Sequence, residues 1–371
     1  MLRAILIDCV PPSIPKEEAD YRLSEAESLI KTYGGIVVVK QWQKKLIPNY
    51  KNFLGQGKID EIIEASGDLK ANIIIVNNEL KPRQTYNLGE IFRPHKLEVW
   101  DRVDLILKIF QKHASTREAK LEIELASIKH MGPRIFGMGM QLSRQGGGIG
   151  TRGVGETNIE LMRRHLFKME NSIKKDLEDC KKVRELHRQG RKRRNLPTIG
   201  IVGYTNAGKT SLLNALTHKG AYAADKLFAT LDTRVGKMYF PENYQEVLVS
   251  DTIGFIQDLP TTLIQSFKST LEETIEADLL LHVIDVSDPK FEQKIKTVNE
   301  ILAQIDALFK PTIYVFSKID RLTKNKQKLI KNLQKKYQKF NPCFISNLNK
   351  EGIDELRKRI KASQHISNQR G

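Results

Sequence analysis

The sequence predicts an α/β chain in three parts. These are an N-terminal α/β domain with a parallel sheet over residues 1–112, a basic helical hairpin with a Gly-rich loop over 113–195, and a doubly wound α/β domain over 196–363. Three observations predict this. Short apolar runs alternate with helix-period segments at both ends of the chain, the pattern of parallel strands joined by crossover helices. Between them, apolar residues recur at helical spacing on either side of a stretch dense in glycine. No apolar run approaches the ~20 residues that a membrane-spanning helix needs.

In the first part the strand candidates are Ala4–Val10, Gly35–Lys40 and Ala71–Val76. The run Ile73-Ile74-Ile75-Val76 has the composition of a strand buried on both faces. Helical patterns lie between the strands, at Glu17–Lys31, Ile59–Ser66 and Pro82–Phe92, and a further helix is expected over Val103–Lys112. The apolar start, Met1 to Val10, is short, is interrupted by Asp8 and precedes no small-residue cleavage site. It reads as a strand, not a signal peptide. Gly55-Gln56-Gly57-Lys58 reads more readily as a strand–helix turn without a ligand than as a phosphate-binding turn.

In the second part Leu121, Leu125 and Ile128 fall at i, i+4 and i+7. Beyond the loop, Ile159, Met162, Leu166, Met169 and Ile173 repeat at 3-4-3-4 spacing, continued by Leu177 and Cys180. Two such helices bury their stripes against each other as an antiparallel hairpin; dimerisation is the alternative. The expected connection, residues 131–155, holds Gly146, Gly147, Gly148, Gly150, Gly153 and Gly155, with Arg134, Arg144 and Arg152 among them. A loop of this length in a compact domain is functional or disordered. Gly148-x-Gly150-x-x-Gly153 has the spacing of a dinucleotide fingerprint. It follows a helix rather than a strand, which excludes that reading.

The formal net charge is +17. Residues 113–195 carry 19 Lys+Arg against 10 Asp+Glu, more than half of the excess, so a polyanionic partner is expected to meet this part. Arg191-Lys192-Arg193-Arg194, with Lys181, Lys182, Arg184 and Arg188, reads as an RNA contact or a solvated helix end rather than a nuclear signal. The cysteines Cys9, Cys180 and Cys343 are far apart and lack metal spacing, which implies a reduced compartment and no structural metal.

The third part opens with the strand Thr198–Val202 running into Gly203-Tyr204-Thr205-Asn206-Ala207-Gly208-Lys209-Thr210, a complete G-x-x-x-x-G-K-[ST] motif, and a helix over Ser211–Leu216. The glycines let backbone N–H groups curl round phosphate oxygens, and the helix N-terminus adds its positive end. Gly203, Asn206, Ala207, Gly208, Lys209, Thr210 and Ser211 are the phosphate-binding candidates. Lys209 reaches the β and γ phosphates, and the Thr210 hydroxyl is a Mg²⁺ ligand. Asp251-Thr252-Ile253-Gly254 follows the strand Glu246–Ser250, where an acid holds Mg²⁺ and a glycine N–H meets the γ-phosphate. Thr230, with Thr233 as its rival, is the switch threonine expected to complete the metal shell.

The strands Leu279–Val286 and Thr312–Phe316 follow, and the second ends in Ser317-Lys318-Ile319-Asp320. This is the place of a guanine motif Asn-Lys-x-Asp. The Asp320 carboxylate accepts from guanine N1–H and the 2-amino group, which adenine does not present, and Lys318 lies along the base. Ser317 stands where the motif has Asn, with one donor instead of two, so weaker nucleotide binding is expected. Ser346-Asn347 lies where a loop contacts guanine through backbone N–H groups. Position 255, where many GTPases carry a water-orienting Gln, is Phe255. A phenyl ring orients no water, so hydrolysis is expected to be slow until a partner completes the site. Residues 364–371 read as a flexible polar tail.

The segments Gly203–Ser211, Leu227–Asp232, Asp251–Phe255 and Leu271–Asp288 resemble the HflX family of translation-factor-class, P-loop GTPases. Gly55–Lys58, Asp101-Arg102, Leu105–Phe110, Thr116–Glu118 and Gly146–Glu156 resemble segments of that family outside the generic G domain. The likeness covers roughly residues 1–360. The departures are Ser317, Val154 where the family has Pro, and an end soon after the G domain.

The resemblance implies a P-loop GTPase domain using GTP/GDP and Mg²⁺, with Lys209, Thr230 and Gly254 serving hydrolysis and Thr210, Thr230 and Asp251 the metal. It implies a cytoplasmic protein that binds the large ribosomal subunit through ribosomal RNA and dissociates stalled or stressed ribosomes, the Gly-rich loop approaching the peptidyl transferase centre. A monomer without membrane attachment is expected. Two alternatives stand beside this: a nucleotide-gated RNA-binding module with little turnover, motivated by Ser317 and Phe255, and an adaptor at a protein or anionic lipid surface, permitted by the charge.

Overall fold

The computed structural model describes residues 2–145, 154–194, 196–217, 227–228, 234–241, 244–252, 254–258, 260, 263–264, 268–322 and 326–368. The chain divides into two compact units: residues 1–112 with 120–178, and residues 113–119 with 179–371.

The first unit is built on β1 (Arg3–Val10), β2 (Ile36–Lys44), β3 (Ile73–Val76) and β4 (Glu98–Asp101), in the order β2-β1-β3-β4. Every pairing is parallel. The crossovers are α1 (Lys16–Tyr33), α2 (Gln56–Asp68) and α3 (Pro82–Phe92), and α4 (Arg102–His113) continues directly from β4. The four residues of β3 are all buried, as a strand covered on both faces requires. Burial of each such isoleucine contributes about 1.5–3 kcal/mol. Gly55 caps α2 and Lys58 Nζ pairs with Glu61, so Gly55–Lys58 is the start of a helix.

Strand β4 is absent from the expected elements. It has four residues and no buried apolar run, and it forms because β3 offers it an edge.

Two long helices follow, α5 (Arg117–Gln145) and α6 (Val154–Arg193). The expected connection over 131–155 is therefore corrected: Met131–Gln145 is helical with Pro133 inside the helix, and Val154 and Gly155 already belong to α6. Gly146–Gly153, with Arg152, lies outside the described residues. Arg134 is a buried α5 side chain and not a loop cation. It donates to Asp101 at 2.5 Å and to Asp104 at 2.8 Å.

The apolar stripe of α6 is only partly covered. Ile173 is buried, Leu166, Met169 and Leu177 are half-buried, and Met162 is exposed.

The second unit has six strands in the order β10-β9-β8-β5-β7-β6. They are β5 (Thr198–Gly203), β6 (Arg234–Phe240), β7 (Gln245–Asp251), β8 (Leu279–Asp285), β9 (Thr312–Ser317) and β10 (Cys343–Phe344). All pairings are parallel except β6 with β7, a hairpin edge that the expected parallel sheet lacks. Its helices are α7 (Lys209–Thr217), α8 (Lys268–Glu276), α9 (Phe291–Gln304), α10 (Lys326–Lys336) and α11 (Ile353–Asn368). One apolar layer joins Ile201, Val249, Leu281, Leu213 and Ile360; the other joins Ile284, Phe316, Ile295 and Leu333. The expected tail over 364–371 is corrected as well, because α11 continues to Asn368. No helix among the described residues is long and apolar enough to cross a membrane.

Candidate functional site

Strand β5 lies between β7 and β8, and its loop leaves the carboxyl edge of the sheet near the middle, where open α/β sheets bind ligands. The loop begins at Gly203 because β8 passes close by: a Cβ there would lie 2.4 Å from the Val283 carbonyl oxygen. At its other end α7 starts at Lys209, aiming free helix N–H groups at the loop. Ser211 lies in the first turn of that helix.

Lys209 is buried, and its Nζ donates to the Tyr204 carbonyl at 2.9 Å. Burial pushes its pKa down to about 8; Asp251 pulls it up, and Lys318 pushes it further down. An ammonium bonded to a neutral carbonyl keeps its charge for an incoming anion. Thr210 Oγ1 donates to Asp251 Oδ2 at 2.6 Å, joining α7 to the end of β7. A hydroxyl beside a carboxylate offers hard oxygen ligands. Mg²⁺ binds through one or two such protein groups and leaves its other positions to water and phosphate, so these residues fit it. Thr230 and Thr233 lie outside the described residues.

The segment after Asp251 folds back on the phosphate loop. Phe255 N donates to the Gly203 carbonyl at 3.1 Å, and Thr205 N donates to the Phe255 carbonyl at 2.7 Å. Gly254 is pressed against the lysine, where a Cβ would lie 2.8 Å from Lys209 Nζ. The Phe255 ring is buried. Gln257 N donates to the Tyr204 hydroxyl at 2.7 Å, and Lys294 Nζ stands 4.5 Å from the centre of the Tyr204 ring.

On the other side of the loop, Ser317 Oγ lies 2.7 Å from the Ala207 carbonyl and 3.1 Å from that of Ile284, sharing its single hydrogen between them. It is fully buried and ties β9 to the phosphate loop. Lys318 Nζ pairs with Asp285 at 2.7 Å and donates to the Asn206 carbonyl at 2.8 Å. The Ser346 hydroxyl donates to Asp320 Oδ1 at 2.5 Å, holding that carboxylate in place. Asn347 Nδ2 donates to the Gly208 carbonyl at 3.3 Å. The fold thus brings Gly203, Asn206, Ala207, Gly208, Lys209, Thr210, Asp251, Gly254, Ser317, Lys318, Asp320, Ser346 and Asn347 round one loop.

Two members of the site escape the sequence reading. Asp285 ends β8 and anchors Lys318; the signal is a carboxylate closing a strand that is apolar but for His282. Tyr204 links the loop to Gln257 and Lys294; the signal is an aromatic residue inside a phosphate loop.

The basic residues in and just after the end of α6 divide into two groups. Arg184, Arg188 and Arg191 are paired with Glu272, Glu276 and Glu273 of α8, whereas Lys181, Lys182, Arg193 and Arg194 are exposed.

Three family models match the chain: "GTP-binding GTPase N-terminal" over residues 20–111, "GTP-binding GTPase Middle Region" over 113–191 and "50S ribosome-binding GTPase" over 198–318. The chain is 43% identical to a GTPase HflX of Caldanaerobacter subterraneus over 359 residues, covering 97% of this chain and 80% of the relative. It is 40% identical to GTPase HflX of Escherichia coli over 334 residues, covering 90% and 77%. Among solved structures it is similar to a GTP-binding protein from Sulfolobus solfataricus in complex with GDP, with a TM-score of 0.50 and 26% identity over 99% of this chain and 100% of the other. A complex of SsGBP with GDP matches with a TM-score of 0.55 and 27% identity over the same shares. With a guanine-nucleotide loop in its sheet and relatives of this identity along almost its whole length, the chain belongs to the HflX family and is a GTPase.

Proposed function

We propose that the protein hydrolyses GTP to GDP and phosphate slowly by itself, binds the large ribosomal subunit through ribosomal RNA in its GTP state, is stimulated there, and dissociates stalled or stressed ribosomes. The observation that carries this reading is Phe255: its ring is buried and its backbone is tied to Gly203 and Thr205, so that position supplies no group to orient water. A partner has to complete the site. The charge of residues 113–195 supports a polyanionic partner, and the ribosome-binding family model over 198–318 supports a large subunit.

In this reading the N–H groups of Gly203–Gly208 and the Lys209 ammonium hold the β and γ phosphates, and Gly254 offers its N–H to the γ-phosphate. Thr210, Asp251 and Thr230 would hold Mg²⁺, which supplies positive charge against the phosphate oxygens. Asp320, braced by Ser346, accepts from the guanine edge; Lys318 flanks the base, and Ser346-Asn347 offers backbone donors. The protein works in the cytoplasm as a monomer.

The test is GTP turnover with and without purified large subunits. Strong stimulation is expected. Asp320→Asn should exchange GTP for xanthosine triphosphate as the better substrate, by about a hundredfold or more. Tight subunit binding without stimulation would replace this reading by that of a nucleotide-gated binding module.

A further inference from the structure

Helix α8 follows the Asp251–Phe255 loop in the chain, and two different attachments hold it. On one face Leu271 and Thr274 are buried, as is Ala277 just past the helix end. A Cβ placed on Gly200 of β5 would lie 3.2 Å from Ala277 Cβ and 3.7 Å from Thr274 Cα, so this face rests directly on the strand that feeds the phosphate loop. The other face carries Glu272, Glu273 and Glu276. Arg184 lies 2.6 Å from Glu272 and also 3.1 Å from Glu118 of α5. Arg188 lies 3.2 Å from Glu276 and 3.6 Å from Glu272, and Arg191 lies 3.1 Å from Glu273. The three arginines, at i, i+4 and i+7, share one stripe of α6. These six α6 and α8 side chains are 20–38% exposed.

We propose that Arg184, Arg188 and Arg191 are positioning residues of the GTPase reaction, clamping α8 so that the Gly254 loop is held ready for a γ-phosphate. This rests on the proposed role of Gly254. A single surface ion pair contributes little, but branched arginine pairs along a helix restrain its slide and rotation together. GDP lacks the group that Gly254 would meet, so only GTP senses how firmly the loop is held. A loop already in place loses less freedom when the ligand binds.

The experiment compares GDP and non-hydrolysable GTP affinities, with single-turnover GTP hydrolysis, in the full chain. The variants are R184A/R188A/R191A, Arg191→Glu, and the exchange Arg191→Glu with Glu273→Arg. The triple variant should lose about threefold to tenfold in GTP affinity and in hydrolysis rate while its GDP affinity stays unchanged. Arg191→Glu should shift the same way by a smaller factor, and the exchange should restore it. Equal losses for GDP and GTP, an unchanged ratio, or no rescue by the exchange would overturn the proposal. If the unaltered chain bound GDP and GTP with the same affinity, the role given to Gly254 would fail first.

Discussion

The two sheets place charged and polar groups at the same edge and put them to opposite uses. In the N-terminal unit the groups at the carboxyl ends of the strands are spent on one another. Asp8 accepts from Arg22 at 3.0 Å and from Asn77 at 2.9 Å. Arg102 donates to Asn77 and to Glu25, each at 2.6 Å. Asp101 accepts from Arg134 and from the Leu80 N–H. Asn78 bridges back to both backbone groups of Cys9, stitching β3 to β1 where the strand order turns. In the second unit the same edge carries a glycine loop, a buried lysine on a neutral carbonyl, and a carboxylate facing a hydroxyl. One edge is neutralised from within; the other keeps charge for a ligand. A parallel sheet supplies the place, and the partners of its strand-end charges decide whether that place holds a ligand or a brace.

The largest effect should come from exchanging one cation at each edge for alanine. Arg134→Ala leaves Asp101 and Asp104 short of a buried partner and should cost about 3–5 kcal/mol of stability. Both tryptophans, Trp42 and Trp100, lie in that unit, so urea unfolding followed by their fluorescence reads it directly. Lys209→Ala should leave that transition in place while hydrolysis falls about 10²–10³-fold. If Arg134→Ala cost no stability, the contrast between brace and binding edge would be lost.

A smaller effect concerns pH. Burial alone would lower the pKa of His130, but the carboxylates of Asp104 at 3.2 Å and Asp101 at 3.4 Å from its Nε2 outweigh it and push it up to about 9. The same histidine and Arg134 hold Asp104 below the usual carboxylate range in spite of its burial. A base with a raised folded pKa stabilises fully below its unfolded value, near 6.5, and loses that contribution as pH rises through about 9. The fluorescence-detected midpoint should therefore fall between pH 7 and 10, and His130→Gln should flatten the fall. A midpoint that falls equally in H130Q would assign the dependence elsewhere.

The smallest effect tests Ser317. The serine already reaches the loop carbonyl of Ala207, so restoring asparagine adds one donor, worth about 0.5–1.5 kcal/mol. Ser317→Asn should tighten GDP and GTP alike by about twofold to tenfold, measured by calorimetry. Weaker binding would mean that the buried hydroxyl already fills its place.

Much of this was legible along the chain. The buried run of β3 and the complete loop motif both show in contiguous residues. Strand β4 did not show, because a four-residue edge strand borrows its hydrogen bonds from a neighbour and needs little apolar pattern of its own; the edge strand β6 is absent from the expected elements too, although Met238 and Phe240 alternate into the core. The stretch from Met131 read as the start of a loop, yet α5 runs through it to Gln145 with Pro133 inside the helix. Local propensity is a weak prior where tertiary contacts such as those of Arg134 hold the helix.

The sequence by itself determined the chemistry that is local in the chain: a glycine loop followed by Lys209 and Thr210, an acid at the end of one strand, and a base-selecting Asp320 at the end of another. Tertiary structure alone decided the partners of the charges. Nothing in the order of residues says that Arg184, Arg188 and Arg191 meet α8 rather than a nucleic acid. Nor does it say that Arg134 and His130 are held inside by two carboxylates. The reason is physical: periodicity along a helix shows which side chains share a face, but the sign of a charge leaves its partner open until the fold brings a distant segment within about 4 Å.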